Sequence, residues 1–406
     1  LKKHENKYKN WYNVLIYVYS QTQIFCPVDE DLNIQMVDLK SQYNHIKNEV
    51  DAAIQHVINS TQFINGEEVK KFQEELAGYL GVKHVITCGN GTDALQIAMM
   101  GLGLKPGDEV ITPSYTYIAT TEVIGLLGLK PVFVDCDPDT FNISPKSIEK
   151  SITTKTKAIV PVHLFGQSCN MTEIMDIASK HDLYVIEDNA QAIGCTYHGF
   201  KDPLKTGTIG NVGCTSFFPS KNLGCYGDGG ALMTNDDELA SQLRMIANHG
   251  QSKKYYHDRV GCNSRLDNLQ AAILRIKLKE LDTYIHNRQQ AASFYDDHFK
   301  NEHRLKIPTR YAESDHVFHQ YTLKLDDSVS RNNLIDYLKV NGIPAMVYYP
   351  VPAHRQKMFS TIEISKGDLT NTEWLTSRVI SLPMHTELSE NQQLHIINHI
   401  KNYLNK

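Results

Sequence analysis

Lys221 stands in the stretch Thr215-Ser216-Phe217-Phe218-Pro219-Ser220-Lys221-Asn222-Leu223-Gly224, which is followed by Gly227-Asp228-Gly229-Gly230. A lysine hemmed by phenylalanine, proline and glycine between two apolar runs is partly desolvated. Burial lowers an amine's pKa and makes it nucleophilic, which is what Schiff-base chemistry requires. Spacing alone also allows a plain surface charge. A second stretch, Val185-Ile186-Glu187-Asp188-Asn189-Ala190-Gln191, ends an apolar strand with two acids. In open α/β sheets the carboxyl ends of strands face the ligand crevice, where a carboxylate can pair with a cationic ring nitrogen. Equally, one acid could cap the next helix and the other be solvated. A third, Cys88-Gly89-Asn90-Gly91-Thr92-Asp93-Ala94-Leu95, leaves a strand and opens a helix. Its glycines and helix N-terminus suit a phosphate, although Thr92 and Asp93 could be no more than an N-cap pair. The stretch has neither the P-loop nor the dinucleotide-binding spacing. A phosphate cradle, a ring-nitrogen carboxylate and a reactive amine are the three contacts that pyridoxal phosphate needs. In that arrangement Asp188 keeps the pyridinium protonated, so the ring can accept carbanion electrons.

The elements that would position these groups follow from periodicity. Apolar runs at His84–Thr87, Glu109–Thr112, Pro131–Val134, Ala158–Val162, Leu183–Ile186, Thr215–Phe218 and Gly230–Met233 alternate with helical patterns such as Met171–His181. That alternation predicts an α/β fold whose large domain holds a mostly parallel, seven-stranded sheet covered on both faces. Leu266 to about Lys300 reads as one long helix or two joined ones. After it comes strand–helix–strand texture (Tyr321–Leu325, Asn332–Val340, Ala345–Tyr349) and a closing helix from about Glu390 to Leu404. We therefore expect an N-terminal extension of unknown role (residues 1–33), a large domain (34–284) and a smaller C-terminal α+β domain (285–406). The extension carries a short tyrosine-rich apolar patch without a small-residue cleavage site, which argues against a signal peptide. Lys plus Arg is 41 against 46 Asp plus Glu, for a net charge of −5, so no polybasic nucleic-acid or membrane surface is expected. The eight cysteines are scattered without C-x-x-C, so we expect reduced thiols and no metal site.

The ordered strings GNGTDAL, PSYTYIAT, VIEDNAQA, TSFFPSKNLGCYGDGGA and VGCNSRLDNLQAA resemble the sugar-nucleotide aminotransferases of fold type I. Within them the likeness is nearest to the UDP-2-acetamido-2-deoxy-3-oxo-glucuronate aminotransferases of surface-polysaccharide (lipopolysaccharide O-antigen) synthesis. The resemblance covers about residues 34 to 406 and implies a set of roles. Lys221 carries pyridoxal 5'-phosphate and later moves the proton. Asp188 pairs with the pyridine nitrogen, and Gln191 bonds the ring's phenolic oxygen. Gly91, Thr92 and Ser216 hold the phosphate. Tyr117 stacks on the ring, unless it is a core aromatic. Asn263 reaches the phosphate of a neighbouring subunit, with Arg265 in the same segment, unless the two are a turn and a helix-start pair. The implied enzyme is a cytoplasmic homodimer with shared active sites. It passes an amino group, with glutamate the expected donor, to C3 of a UDP-linked 3-keto N-acetylhexuronic acid.

Where relatives have His-Tyr-Pro lining the sugar pocket, this chain has Tyr348-Tyr349-Pro350. The segment His316 to Tyr321, including His319, is also similar to enzymes acting on dTDP-linked keto-6-deoxy sugars, which is the alternative substrate. Arg265 and Arg355 are the candidates to meet a substrate carboxylate. His163 reads as structural, and His249 and Tyr255 as loop residues near the nucleotide. Two rival classes differ at the same residues. Sugar dehydratases of the same fold place His where Lys221 stands, and a non-catalytic regulatory protein would be expected to lack Lys221 or Asp188.

Overall fold

The computed structural model describes residues 32–405; the extension's apolar patch and Cys26 lie outside the described residues. In chain order the elements begin with helices α1 (Leu39–Ser60) and α2 (Glu67–Leu80). Strand β1 (His84–Cys88) leads into α3 (Gly91–Gly101), β2 (Glu109–Pro113) into α4 (Ala119–Leu126), and β3 (Lys130–Val134) into α5 (Pro145–Ser151). Next come β4 (Thr156–Ile159), α6 (Met171–His181) and β5 (Tyr184–Asp188), then the short pair β6 (Thr196–Tyr197) and β7 (Leu204–Lys205). Strands β8 (Val212–Ser216) and β9 (Gly230–Thr234) precede α7 (Asp237–Ala247) and a hairpin, β10 (Gln251–Lys253) and β11 (Tyr256–His257). Helices α8 (Asn268–Lys279) and α9 (Leu281–Phe299) follow. The C-terminal part holds β12 (Leu305–Lys306), β13 (Tyr321–Leu325), α10 (Arg331–Val340), β14 (Ser365–Lys366), α11 (Thr370–Arg378), β15 (Val379–Leu382) and α12 (Glu390–Leu404).

The main sheet runs β1-β9-β8-β5-β4-β2-β3-β14. All neighbours from β8 to β14 are parallel, while β9 is antiparallel to both β1 and β8. The sheet thus has eight strands, not the seven expected. The eighth, β14, is a two-residue edge strand contributed from far along the chain, too short to register as an apolar run. Ala345–Tyr349 is not a strand either: Met346 makes a single bridge to Ser381, and the place beside β13 is taken by β15. Of the two readings of Leu266 to about Lys300, the structure has two joined helices, α8 and α9, meeting at Glu280. The expected domain division at 284/285 falls inside α9. From Gln35 onward the chain is one compact unit.

Central strands are buried on both faces because helices cover both. One side packs α3, α4 and α7 through Leu95, Ala98, Val123 and Leu243. The other packs α2, α8 and α9 through Phe72, Leu76, Leu274 and Ile285. A parallel sheet so covered reads as near-continuous apolar text, and that is why its strands stand out in the sequence. Among the described residues no helix is long and apolar enough to cross a membrane. The seven described cysteines are free thiols.

Candidate active site

Strands β1, β2, β5 and β8 run in one direction, so their carboxyl ends lie along one edge of the sheet. Gly230, the first residue of β9, is the register partner of both Cys88 and Ser216. That double pairing draws the β1–α3 turn against the end of β8. The fit leaves no room for side chains. A Cβ on Gly230 would lie 2.4 Å from the Asn90 carbonyl, and one on Gly91 2.7 Å from the Ser216 Cβ. Asn90 caps α3, its Oδ1 accepting from the Asp93 amide at 2.8 Å. The amides of Gly91 and Thr92 are therefore among the first-turn donors, beside the Ser216 hydroxyl, in a concavity of the kind that takes a phosphate.

Glu187 and Asp188 point to opposite faces of β5, as successive strand residues must. Glu187 is fully buried. It accepts from the amides of Gly207, Ile209 and Gly210 at 2.7–2.8 Å and meets His163 Nε2 at 2.8 Å. His163 Nδ1 in turn accepts from the Cys169 amide at 3.1 Å. This pair ties the strand to the 207–210 turn, and neither acid is solvated. Asp188 faces the site. Its Oδ2 accepts from Thr120 Oγ1 at 2.7 Å and its Oδ1 from the Ala190 amide at 3.1 Å. Burial pushes its carboxyl above the usual range, although these bonds and the Lys221 charge pull it down. Desolvation lowers the half-buried Lys221 ammonium to about 8, against the opposite pull of Asp188. A buried carboxylate and a softened amine, each acting on the other, suit a cationic ring nitrogen and a carbonyl between them.

Gln191 is fixed by the chain opposite. Phe165 lies in the left-handed region (φ 58°, ψ 4°) and donates its amide to Gln191 Oε1 at 2.7 Å. The other end, Nε2, faces the site and donates to the Tyr349 hydroxyl at 3.0 Å. Tyr117 is 56 % exposed, so it is not a core aromatic; Tyr115, two residues earlier, fills that place at 1 %. The Tyr117 and Tyr349 rings lie 6.1 Å apart. Tyr348, half-buried, joins Tyr349 through a cis peptide, and its phenol is raised by burial.

The structure brings together Gly91, Thr92 and Ser216 at the cradle, and Asp188, Gln191, Lys221, Tyr117 and Tyr349 beside it. Other expected residues stand apart. Asn263 is exposed and Arg265 half-buried, with no ion pair for Arg265 among the described residues. Between them, Ser264 accepts from the Gly89 amide at 2.8 Å and donates to Asp93 Oδ2 at 2.6 Å, so this segment is pinned to its own chain's cradle. Arg355 is already paired with Glu373 at 2.7 Å. Tyr255 lies on the exposed β10–β11 hairpin loop, 79 % exposed, and His249 precedes that hairpin. His319 is buried. Sequence reasoning misses Thr120, Ser264 and Phe165. Thr120 carries a signal, since it lies one helical turn beyond Thr116 and Tyr117 in the same motif. Ser264 and Phe165 act through contacts that only the folded chain makes.

The sequence model described as the DegT/DnrJ/EryC1/StrS aminotransferase family matches residues 44–401. The chain is 47% identical over 357 residues to the UDP-2-acetamido-2-deoxy-3-oxo-D-glucuronate aminotransferase of Pseudomonas aeruginosa, covering 87% of this chain and 96% of that protein. It is 45% identical to a pleiotropic regulatory protein of Geobacillus stearothermophilus, covering 92% and 99%. Among solved structures it is similar to NtdA of Bacillus subtilis with bound cofactor PMP, at 30% identity and a TM-score of 0.82, covering 91% of this chain and 83% of that one.

Proposed function

The chain belongs to the DegT/DnrJ/EryC1/StrS aminotransferase family and is a pyridoxal-phosphate-dependent sugar aminotransferase; from that premise we propose that it aminates C3 of a UDP-linked 3-keto N-acetylhexuronic acid, with glutamate as donor. In this reading it works as a cytoplasmic homodimer and supplies a surface-polysaccharide precursor. The observation that carries the chemistry is the half-buried Lys221 amine, softened to about 8, with the buried Asp188 acting on it. The sugar is supported by the Pseudomonas aeruginosa relative.

When bound, pyridoxal phosphate supplies a carbonyl for amine exchange and a ring that takes up the electron pair of a breaking C–H bond. Gly91, Thr92 and Ser216 hold its phosphate, Tyr117 packs on its ring, and Gln191 offers Nε2 to its phenolic oxygen. Asp188 holds the proton on the ring nitrogen. Lys221 takes the proton from the donor's Cα and later delivers one to C3 of the sugar, as general base and then general acid. Tyr348 and Tyr349 border the sugar. Arg265, which has no ion pair among the described residues, is the candidate receptor for the substrate carboxylate, whereas Arg355 is already paired with Glu373. A pocket for a 6-deoxy sugar gains nothing from a cation there, because a methyl group cannot pair with it.

The test is competition between the UDP-linked 3-keto uronate and a dTDP-linked 3-keto-6-deoxy sugar at equal concentration, with the amine products read by mass spectrometry. A higher kcat/KM for the 6-deoxy compound overturns the uronate reading. A colourless protein that borohydride does not label would instead favour a regulatory role.

A further inference from the structure

The stretch from Met346 to Lys366 is a strap between two sheets. At one end Met346 exchanges backbone hydrogen bonds with Ser381 of β15, at 3.1 and 2.8 Å. At the other, β14 lies parallel to β3 on the edge of the main sheet. Between these ends the strap passes the carboxyl end of β2, where two consecutive residues fasten it. Tyr115 donates its hydroxyl to the Tyr348 carbonyl. Ser114 takes the Ala353 amide on its carbonyl at 2.9 Å, while its own amide donates to the Val134 carbonyl of β3 at 3.1 Å.

Ser114 also begins a row of side chains. Its Oγ lies 2.7 Å from His354 Nδ1 and accepts from the His354 amide at 3.3 Å. His354 Nε2 lies 2.9 Å from Oε1 of Glu373, in the first turn of α11. That turn is held in its own right at the end of β3, where Asp135 accepts from the Asn371 and Thr372 amides at 2.9 and 2.8 Å. The direction of each bond follows from its partners. A carboxylate only accepts, so Nε2 carries the imidazole proton, Nδ1 is an acceptor, and the Ser114 hydroxyl donates to it. Burial, helped by the charges of Lys366 and Arg355, lowers the imidazole pKa against the opposite pull of Glu373, which favours this neutral form. Ser114 is fully buried, so the serine–imidazole–carboxylate row offers no nucleophile to a substrate.

We propose that His354 is a positioning residue for the sugar pocket, clasping α11 to the end of β2 so that the strap holds Tyr348 and Tyr349 in place. Tyr349 precedes His354 by five residues, and its hydroxyl is the one that Gln191 Nε2 meets at 3.0 Å. Lys221, Asp188 and the phosphate cradle stand on other segments. A slack strap therefore moves the two tyrosines and leaves the reacting groups where they are, so the clasp governs sugar binding and not the proton transfers.

This rests on Tyr348 and Tyr349 bordering the sugar. Two measurements on the holoenzyme test it. The first is amide hydrogen exchange over residues 346–356. The second is kinetics with whichever of the two keto sugars the wild type aminates. Losing one hydrogen bond and leaving its buried partner unpaired shifts an equilibrium by roughly fivefold to a hundredfold. Ser114→Ala should therefore speed exchange in this segment and raise KM for the sugar about tenfold, with kcat kept. Glu373→Ala, which leaves Nε2 without its acceptor, should act in the same direction, and Glu373→Gln, which keeps an acceptor, should restore KM. These two variants decide the matter if Ser114→Ala does not fold. Unchanged exchange, equal effects of the two Glu373 variants, or a fall in kcat at constant KM overturns the proposal alone. Faster exchange with an unchanged KM means that the tyrosines do not meet the sugar, and then both readings fall.

Discussion

Asp188 and Glu187 are adjacent acids with different work, and the pleat of one strand separates them. Glu187 saturates three backbone amides and a histidine. Asp188 keeps only a threonine and one amide, and these offset its burial only in part. Replacing Asp188 with Asn removes the anion that a ring nitrogen needs. We expect kcat to fall on the order of a hundredfold or more, with an unchanged melting temperature; a near-normal kcat would remove Asp188 from its role. Lys221→Ala should abolish borohydride-fixed cofactor and lower turnover by about a thousandfold or more. Peptide mapping that finds the cofactor on another lysine would refute the assignment. Lys221 and Asp188 are legible in the sequence because each sits at the end of an apolar run, where a charged residue is out of place. Phe165 is not legible. Its contribution is a backbone N–H aimed by a left-handed φ, and no side-chain type announces that.

At the scale of elements, the cradle depends on β9 lying between β1 and β8 and meeting both with its first residue. Gly230→Ala should push the Asn90 carbonyl outward, because the added methyl has no space there. Overpacking of this kind typically costs about 1–3 kcal/mol, so cofactor affinity measured by fluorescence titration should drop roughly ten- to a hundredfold. An unaltered affinity would mean that the two turns tolerate separation. The parallel strands are readable from their apolar runs, and α6 and α12 from helical spacing. Strand β8 reads three residues late in the sequence, at Thr215 rather than Val212, since Gly213 interrupts its apolar text. The edge strand β14 and the bridge at Met346 escape because their pairing is set by tertiary approach, not by their own residues.

For the whole molecule, the question is whether a site is finished within one chain. Ser264 fastens its segment to the cradle of the same chain, while Asn263 beside it stays exposed and free to meet another. If Asn263 serves a neighbour's phosphate, mixing Lys221→Ala protomers with Asn263→Ala protomers should restore part of the activity, since a mixed dimer can hold one intact site. Confirmed subunit exchange without recovery would make each site self-contained. The Ser264 tie has a further consequence, for the order in which the protein is made. The Gly89 amide and the Ser264 hydroxyl it needs are 175 residues apart, and pairings of such long range close late. A chain still on the ribosome has no finished cradle until the segment around Ser264 has emerged, so cofactor capture waits for roughly the first two-thirds of the polypeptide. Pyridoxal phosphate supplied during cell-free synthesis should thus give no more yellow protein than the same amount added after release.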